Sequence, residues 1–156
     1  MGVGLTLEKV LEKAIQRENE AQLLYLRLSQ GVSDKAAEEA FQDLARQEQR
    51  HQEKLERYRR GELNEGGLSS GQVIDYRIAE KLDQIQLSPD LALKDTFLLA
   101  ANREKASHEF YLGLAAIHPD GEVKKLLEEL AAQELEHKQR VEFLYTEVAF
   151  PQTAGG

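Results

Sequence analysis

Two short motifs hold the residues of this 156-residue sequence that are best suited to bind metal. They are Glu48-x-x-His51 and Glu134-x-x-His137, and the second lies 86 residues after the first. Residues three apart share one face of an α-helix, so the Glu and the His of each motif can point to the same place. Each motif therefore predicts one half of a metal site.

A further repeated position adds one carboxylate to each motif. Glu18 lies 30 residues before Glu48, and Glu104 lies 30 residues before Glu134. Four Glu and two His on four helices are the ligand set of carboxylate-bridged di-metal helix bundles. The predicted metal ligands are Glu18, Glu48, His51, Glu104, Glu134 and His137.

Charge explains why such a set needs cations. Four ionised carboxylates buried together would repel one another and resist leaving water. Two divalent cations would neutralise them, and neutral imidazole suits iron, manganese, cobalt or zinc. A single Glu-x-x-His is more simply explained as a solvated helix face. Two copies, each matched to a partner Glu on the apolar side of a helix, favour the di-metal site.

The elements that must position these residues are two helical hairpins joined by a long linker. Helix starts are indicated by Thr6, Ser33 and Ser88-Pro89-Asp90, and tight turns by Gly31 and residues 118–121. The sequence thus predicts a single all-α domain over residues 1–156, an antiparallel four-helix bundle. The predicted helices cover about residues 6–30, 33–60, 88–117 and 119–149, and the linker, residues 61–87, contains a short helix at about 73–82.

Each predicted helix has one apolar seam, with its candidate ligands near the middle. Apolar residues recur at alternating spacings of four and three, the repeat of a left-handed bundle. Glu18 and Glu48 both lie about 21–24 Å from the turn between their helices, at a rise of about 1.5 Å per residue, so they reach one level. The seam of the first helix is Leu7, Leu11, Ala14, Glu18, Ala21, Tyr25 and Leu28.

The repeat extends beyond the ligands and needs no gap between Glu18 and His51. A duplicated hairpin predicts a pseudo-two-fold axis through the site, which suits two metals with matching ligands. The other identical pairs are Ala14/Ala100, Arg17/Arg103, Tyr25/Tyr111, Leu26/Leu112, Leu28/Leu114, Asp34/Asp120, Leu44/Leu130, Ala45/Ala131, Gln47/Gln133 and Glu56/Glu142.

Composition limits the possible functions. There is no Cys, which excludes disulfides, iron–sulfur clusters and thiolate zinc sites. The net charge of −8 and the pI of about 5.1 argue against nucleic acid as a partner. No apolar run reaches the length of a membrane span, and the N-terminus lacks a signal-peptide pattern. We therefore expect a soluble, cytoplasmic protein that binds neither nucleic acid nor membrane.

Several residues close to the ligands allow two interpretations. Tyr25 and Tyr111 lie two helical turns after Glu18 and Glu104, so they are either hydrogen-bond donors to ligand carboxylates or plain core aromatics. No catalytic residue is predicted beyond the metal ligands themselves. Four further polar residues are interpreted as solvated helix faces: Arg17, Arg103, Gln47 and Gln133.

Two segments resemble the ligand helices of the rubrerythrin-like branch of the ferritin-like superfamily. They are AIQRENEA at residues 14–21 and REKASHEFY at residues 103–111, and the resemblance covers about residues 6 to 148. It implies a ferritin-like bundle that binds two iron ions per chain through the six residues above, with manganese or zinc as other possible metals. It also implies that the di-iron centre reduces peroxide, oxidises ferrous iron or activates dioxygen.

The sequence departs from the pattern of that family in several respects. Rubrerythrins typically carry a rubredoxin domain with a four-cysteine iron site, whereas this chain has no Cys, so electrons would come from an external, rubredoxin-type donor. They also carry an additional carboxylate ligand about one turn along the third helix, where this chain has KASH at residues 105–108. Bacterioferritins bind haem through a Met, and because only Met1 occurs here, no haem is expected.

Three functions are consistent with these features. The first is a di-iron oxidoreductase of peroxidase type that reacts with peroxide or dioxygen using external electrons. The second is a ferroxidase that oxidises ferrous iron for storage or detoxification. The third is a non-catalytic metal-binding bundle. A homodimer is expected, because the short segment after the fourth helix lacks the fifth helix of large ferritin cages.

Overall fold

The structure, a computed structural model, describes residues 7–61, 78–81 and 91–150. These residues form five α-helices and no β-strand, which confirms the predicted all-α fold class. Among them, no helix is long and apolar enough to span a lipid bilayer. The helices are α1 (Leu7–Gly31), α2 (Lys35–Arg59), α3 (Ile78–Lys81), α4 (Leu93–Ala116) and α5 (Glu122–Ala149).

The first turn of α2 shows why this helix starts later than predicted. Asp34 is its N-cap, since the Asp34 carboxylate accepts a hydrogen bond of 2.9 Å from the backbone N–H of Ala37. The predicted start at Ser33 is therefore wrong. A carboxylate at the N-cap both accepts this N–H and carries a negative charge that the helix dipole favours.

The predicted start of the third long helix, near residue 88, is also too early. Ala92 has extended backbone angles and is the N-cap, so α4 begins at Leu93. Residues 88–90, which were expected to cap this helix, lie outside the described residues, as does Thr6.

Two further boundaries concern α3 and α5. Gly121 has a φ of 155°, which strains a residue with a Cβ and does not continue into a helix, so α5 begins at Glu122 rather than near residue 119. Of the short helix predicted at about residues 73–82, the part at 78–81 is confirmed as α3. The rest of that prediction lies outside the described residues.

The four long helices pack as two antiparallel hairpins. α1 packs along α2, α4 packs along α5, and α1 also contacts α4. Leu55 near the end of α2 and Phe97 near the start of α4 belong to different core clusters, so these two helix ends lie at opposite ends of the bundle. This arrangement confirms a four-helix bundle with a long connection between the second and third long helices.

The apolar core consists of two clusters on either side of the level of Glu18. Each long helix contributes apolar residues to both clusters and its candidate ligands between them. In the seam of α1, every residue whose burial the structure describes is buried or half-buried, as predicted. The larger buried side chains are Tyr25, Phe41, Leu44 and Phe97 in one cluster and Leu11, Leu55, Tyr111, Leu127 and Leu130 in the other.

A buried ion network attaches α3 to α5. Lys138 is only 1% exposed, and its ammonium lies 3.0 Å from Glu80 of α3 and 3.0 Å from Glu142 of α5. The backbone N–H of Ala79 donates a hydrogen bond of 2.8 Å to the same Glu142 carboxylate. These contacts hold α3 against α5.

Candidate metal centre

Six side chains of metal-binding type meet in the middle of the bundle, and none is more than 7% exposed. They form two overlapping groups of four whose ligand atoms lie within 4.8 Å of one another. One group is Glu18, Glu48, His51 and Glu134, and the other is Glu48, Glu104, Glu134 and His137. The structure thus brings together all six side chains predicted as ligands. Glu48 and Glu134, the carboxylates of the two motifs, belong to both groups.

Both imidazoles turn the same ring nitrogen towards the carboxylates. Nδ1 of His51 lies 3.8 Å from Glu18, and Nδ1 of His137 lies beside Glu48 and 3.8 Å from Glu104. Each His is therefore next to the Glu that belongs to its group alone, which is Glu18 for His51 and Glu104 for His137. His137 is also next to Glu48, which belongs to both groups. Each group of four thus contains one His, one Glu of its own and the two shared Glu residues.

Many of the polar atoms in this cluster have no hydrogen-bond partner among the described residues. They include both carboxylate oxygens of Glu18 and of Glu48, Oε2 of Glu104, and Nδ1 of each His. His137 Nδ1 is close to Glu48 but not in hydrogen-bond geometry. A buried polar atom without a partner costs about 1–3 kcal/mol, so this many together disfavour the cluster on its own. The same atoms are suitable donors to divalent cations, so the residues fit a di-metal site.

The pKa values show how protons reduce the repulsion when no metal is present. Burial, together with the charge of Glu48, raises the pKa of Glu18 well above its ordinary value. Burial and the charge of Glu104 do the same for the pKa of Glu134. Although burial opposes it, the Glu48 carboxylate raises the pKa of His137, so this His is cationic when it faces Glu48. Protons thus take the place that cations would occupy, and metal binding must release them.

His51 behaves differently from His137. Burial and the neighbouring charge of His137 lower the pKa of His51 to about 4. A neutral imidazole is the form that binds metal, so His51 is already in its ligand state near neutral pH.

Comparison with known proteins agrees with the site. The model of the Rubrerythrin family matches residues 9–85, a range that contains Glu18, Glu48 and His51. The chain is therefore similar to the Rubrerythrin family over 77 of its 156 residues. No curated protein and no solved structure matches the chain. For the second hairpin, which lies outside the matched range, the site depends on the internal repeat and on the observed geometry.

The two tyrosines of the repeat differ in their contacts. The Tyr25 hydroxyl donates a hydrogen bond to the Glu104 carboxylate, whereas the buried Tyr111 hydroxyl has no partner among the described residues. Burial raises the pKa of Tyr111, and the charge of Glu18 adds to this, so its hydroxyl keeps its proton and faces the acidic cluster. Tyr25 is thus a hydrogen-bond donor in this structure, and Tyr111 is a core aromatic with an unused donor.

Of the four residues that the sequence placed on solvated helix faces, Gln133 and Arg17 are instead packed against the other hairpin. Gln133 is buried and its side chain hydrogen bonds with His51. The Arg17 guanidinium donates a hydrogen bond of 2.8 Å to Ser107 and lies 4.3 Å from the ring centroid of Phe110. Arg17 and Gln133 each come directly before a candidate ligand in the sequence, at the border between the buried and the exposed face of the helix. The other hairpin packs over this border. The apolar pattern of a single helix does not predict that contact.

For Arg103 and Gln47, the predicted solvated position is closer to what the structure shows. Arg103 is exposed and lies 3.8 Å from the carboxylate of Glu20. Gln47 is half-buried and donates a hydrogen bond of 3.0 Å to Asp43. The repeat therefore gives identical residues at Gln47 and Gln133 but different contacts.

Proposed function

We propose that this protein is a non-haem di-iron oxidoreductase that reacts with hydrogen peroxide or dioxygen and takes its electrons from an external donor. The observation that supports it best is the buried group of four Glu and two His, in which many ligand atoms have no protein partner. If these six positions served only to hold the bundle together, apolar side chains would be sufficient at this level of the core. A site that keeps this many polar atoms without a protein partner in its interior is better explained by bound metal.

In this proposal Glu18 and His51 hold one iron, and Glu104 and His137 hold the other. Glu48 and Glu134 belong to both groups of ligand atoms and would help to hold both ions. When bound, a pair of irons supplies two electrons by cycling between ferrous and ferric states. The protein residues contribute binding, a dry surrounding and a fixed separation of the two positions.

The surrounding residues have defined tasks in this function. Gln133 hydrogen bonds with the ring of His51 and fixes its orientation. Tyr25 donates to Glu104 and so holds one carboxylate oxygen of that residue. The electrons for repeated turnover come from outside, since the sequence contains no Cys and provides no second redox centre.

The test is the reaction of protein loaded with ferrous iron under anaerobic conditions. Addition of peroxide or oxygen should oxidise the iron quickly and produce the near-ultraviolet absorbance of ferric iron. Sustained consumption of peroxide should need an added electron donor of rubredoxin type together with its reductase. Iron that stays ferrous with both oxidants in excess would contradict the proposal.

Assembly mass separates this proposal from the ferroxidase alternative. A homodimer, as expected for the oxidoreductase, cannot enclose a mineral core. Light scattering that gives a closed assembly of many subunits, with iron retained far beyond two ions per chain, would favour iron storage instead.

A further inference from the structure

A surface cavity of about 350 Å³ lies between α2 and α5 at the level of the candidate metal centre. One of the candidate ligands, His137, forms part of its wall, and this residue is only 2% exposed. The His137 side chain therefore separates the cavity from the rest of the cluster. The lining residues are Gln47, Glu136, His137, Gln139, Arg140 and Phe143.

The repeated glutamines differ at this point. Gln133 is buried and hydrogen bonds with His51, so its amide is held beside this ring. Its counterpart in the repeat, Gln47, should lie beside His137 in the same way. Instead, the Gln47 amide donates to Asp43 and lies along the wall of the cavity.

Asp43 is held in place from the other hairpin. The guanidinium of Arg140 donates a hydrogen bond of 2.5 Å to the Asp43 carboxylate, across the gap between α2 and α5. That hydrogen bond lowers the pKa of Asp43, so this residue is an anion that attracts the Gln47 amide. The pair Asp43–Arg140 thus fixes where Gln47 lies.

We infer that this cavity is the entry port by which a small ligand such as azide or peroxide reaches the metal position beside His137. The ion pair between Asp43 and Arg140 keeps the port open by holding Gln47 aside. This inference rests on the proposed function, since it requires a metal at the centre. It adds that the two metal positions differ in access, although their ligands are alike.

The lining favours a small ligand over a metal ion as the species that enters. Gln47 and Gln139 provide neutral amides, and the charge of Arg140 is balanced by Asp43. The only carboxylate in the lining is that of Glu136, which is exposed to solvent. A divalent cation binds best to several carboxylate oxygens, and the cavity lining offers one exposed carboxylate and two neutral amides in their place.

The first experiment blocks the port and uses azide binding to the cobalt-loaded protein as its readout. Stopped-flow absorbance of bound Co²⁺ gives the association rate of azide without any turnover. Gln139→Phe should fill the half-buried mouth and slow azide association by about tenfold, which corresponds to about 1.4 kcal/mol of added barrier. Glu53→Phe is the matched control, because Glu53 is exposed and is the counterpart of Gln139 in the repeat.

The second experiment tests the role of the ion pair. Asp43→Ala frees Gln47, which should then lie beside His137 as Gln133 lies beside His51, and azide association should slow. The double variant Asp43→Ala with Gln47→Ala has no amide to lie beside the ring, so fast association should return. A simple loss of structure at this surface would not be reversed by the second substitution.

The possible results separate this inference from the proposed function. If the wild-type protein binds no Co²⁺, the proposed function fails and the entry port fails with it. If Co²⁺ binds but Gln139→Phe and Glu53→Phe give equal azide rates, the port is wrong and the metal site stands. If Gln139→Phe slows the uptake of Co²⁺ by the metal-free protein and leaves azide association unchanged, the cavity admits metal, and the inference is overturned.

Discussion

The imidazole rings of His51 and His137 stack in the middle of the bundle, with centroids 5.1 Å apart and planes 7° apart. The two rings come from different hairpins and occupy the same place in the repeat. Two stacked cations at this distance would repel one another strongly in a buried site. The low pKa of His51 agrees with this, because it leaves only one of the rings charged when no metal is bound.

Metal content provides the most direct test of the six residues. The wild-type protein should bind two divalent ions per chain, and Glu48→Ala or Glu134→Ala should reduce this markedly, because each carboxylate is close to both positions. The measurement is metal analysis after loading and desalting. Glu128→Ala on α5 is the control, since Glu128 is exposed and should change nothing. Full occupancy in both ligand variants would show that these Glu residues do not bind the metal.

The metal-free protein should lose stability as the pH rises from about 5 to 8. Glu18 and Glu134 have pKa values above the ordinary 4.5, and His137 has a pKa above the ordinary 6.5. In each case the folded state holds a proton that the unfolded state has already released, so the free energy of unfolding falls with pH. Each group can contribute up to about 1.4 kcal/mol per pH unit.

His51 acts in the opposite direction over part of this range. Its pKa of about 4 lies below the ordinary value, so it adds stability as the pH rises towards 6.5 and nothing above that. The decline should therefore be steepest above pH 6.5. Urea unfolding of the metal-free protein at several pH values measures this slope, and Glu134→Gln, which cannot ionise, should make it shallower. A flat profile between pH 5 and 8 would contradict the buried carboxylate cluster.

The sequence was sufficient to predict the convergence of the six side chains. The seam of alternating spacings determines which face of each helix is buried, and the equal distances to the hairpin turns determine the level. Both properties follow from helix geometry alone. The pairing of helices then needs only short turns within each hairpin, so the fold class could also be predicted.

Contacts between hairpins could not be predicted in the same way. Gln47 and Gln133 are identical in type and in place in the repeat, but Gln47 donates to Asp43, which Arg140 contacts from 97 residues away, whereas Gln133 is buried beside His51. The position of α3 likewise depends on Lys138 and Glu142 in a part of the core where no local pattern indicates burial. The position of each of these polar side chains depends on which residue, distant in the sequence, forms its hydrogen bond or ion pair. The spacing of apolar residues along one helix does not contain that information.

The two tyrosines offer a matched pair of substitutions. Tyr25→Phe removes the hydroxyl that donates to Glu104 and should destabilise the metal-free protein by about 1–3 kcal/mol, because a buried carboxylate loses its donor. Tyr111→Phe removes a hydroxyl without a partner and should be close to neutral or slightly stabilising. Urea unfolding at one pH compares them. Equal effects of the two substitutions would mean that the hydrogen bond of Tyr25 contributes nothing specific.

The buried ion network at Lys138 should matter more than any surface ion pair. Lys138→Met leaves the buried Glu142 and the Glu80 of α3 without their cation, so the free energy of unfolding should fall by about 3–5 kcal/mol. Gln52→Met is the matched control, because Gln52 is the half-buried counterpart of Lys138 in the repeat and should cost much less. Thermal or urea unfolding of both variants makes the comparison.

A double variant shows whether the stability lost in Lys138→Met is due to the missing charge or to the changed shape of the side chain. Lys138→Met combined with Glu142→Met replaces the buried pair by apolar side chains of similar length. It should recover much of the stability lost in the single variant, since the buried uncompensated carboxylate is gone. The double variant still lacks the acceptor for the Ala79 N–H, so α3 should remain less firmly attached, and hydrogen exchange at residues 78–81 should stay faster than in the wild type. If exchange there returns to the wild-type rate, Glu142 does not anchor α3.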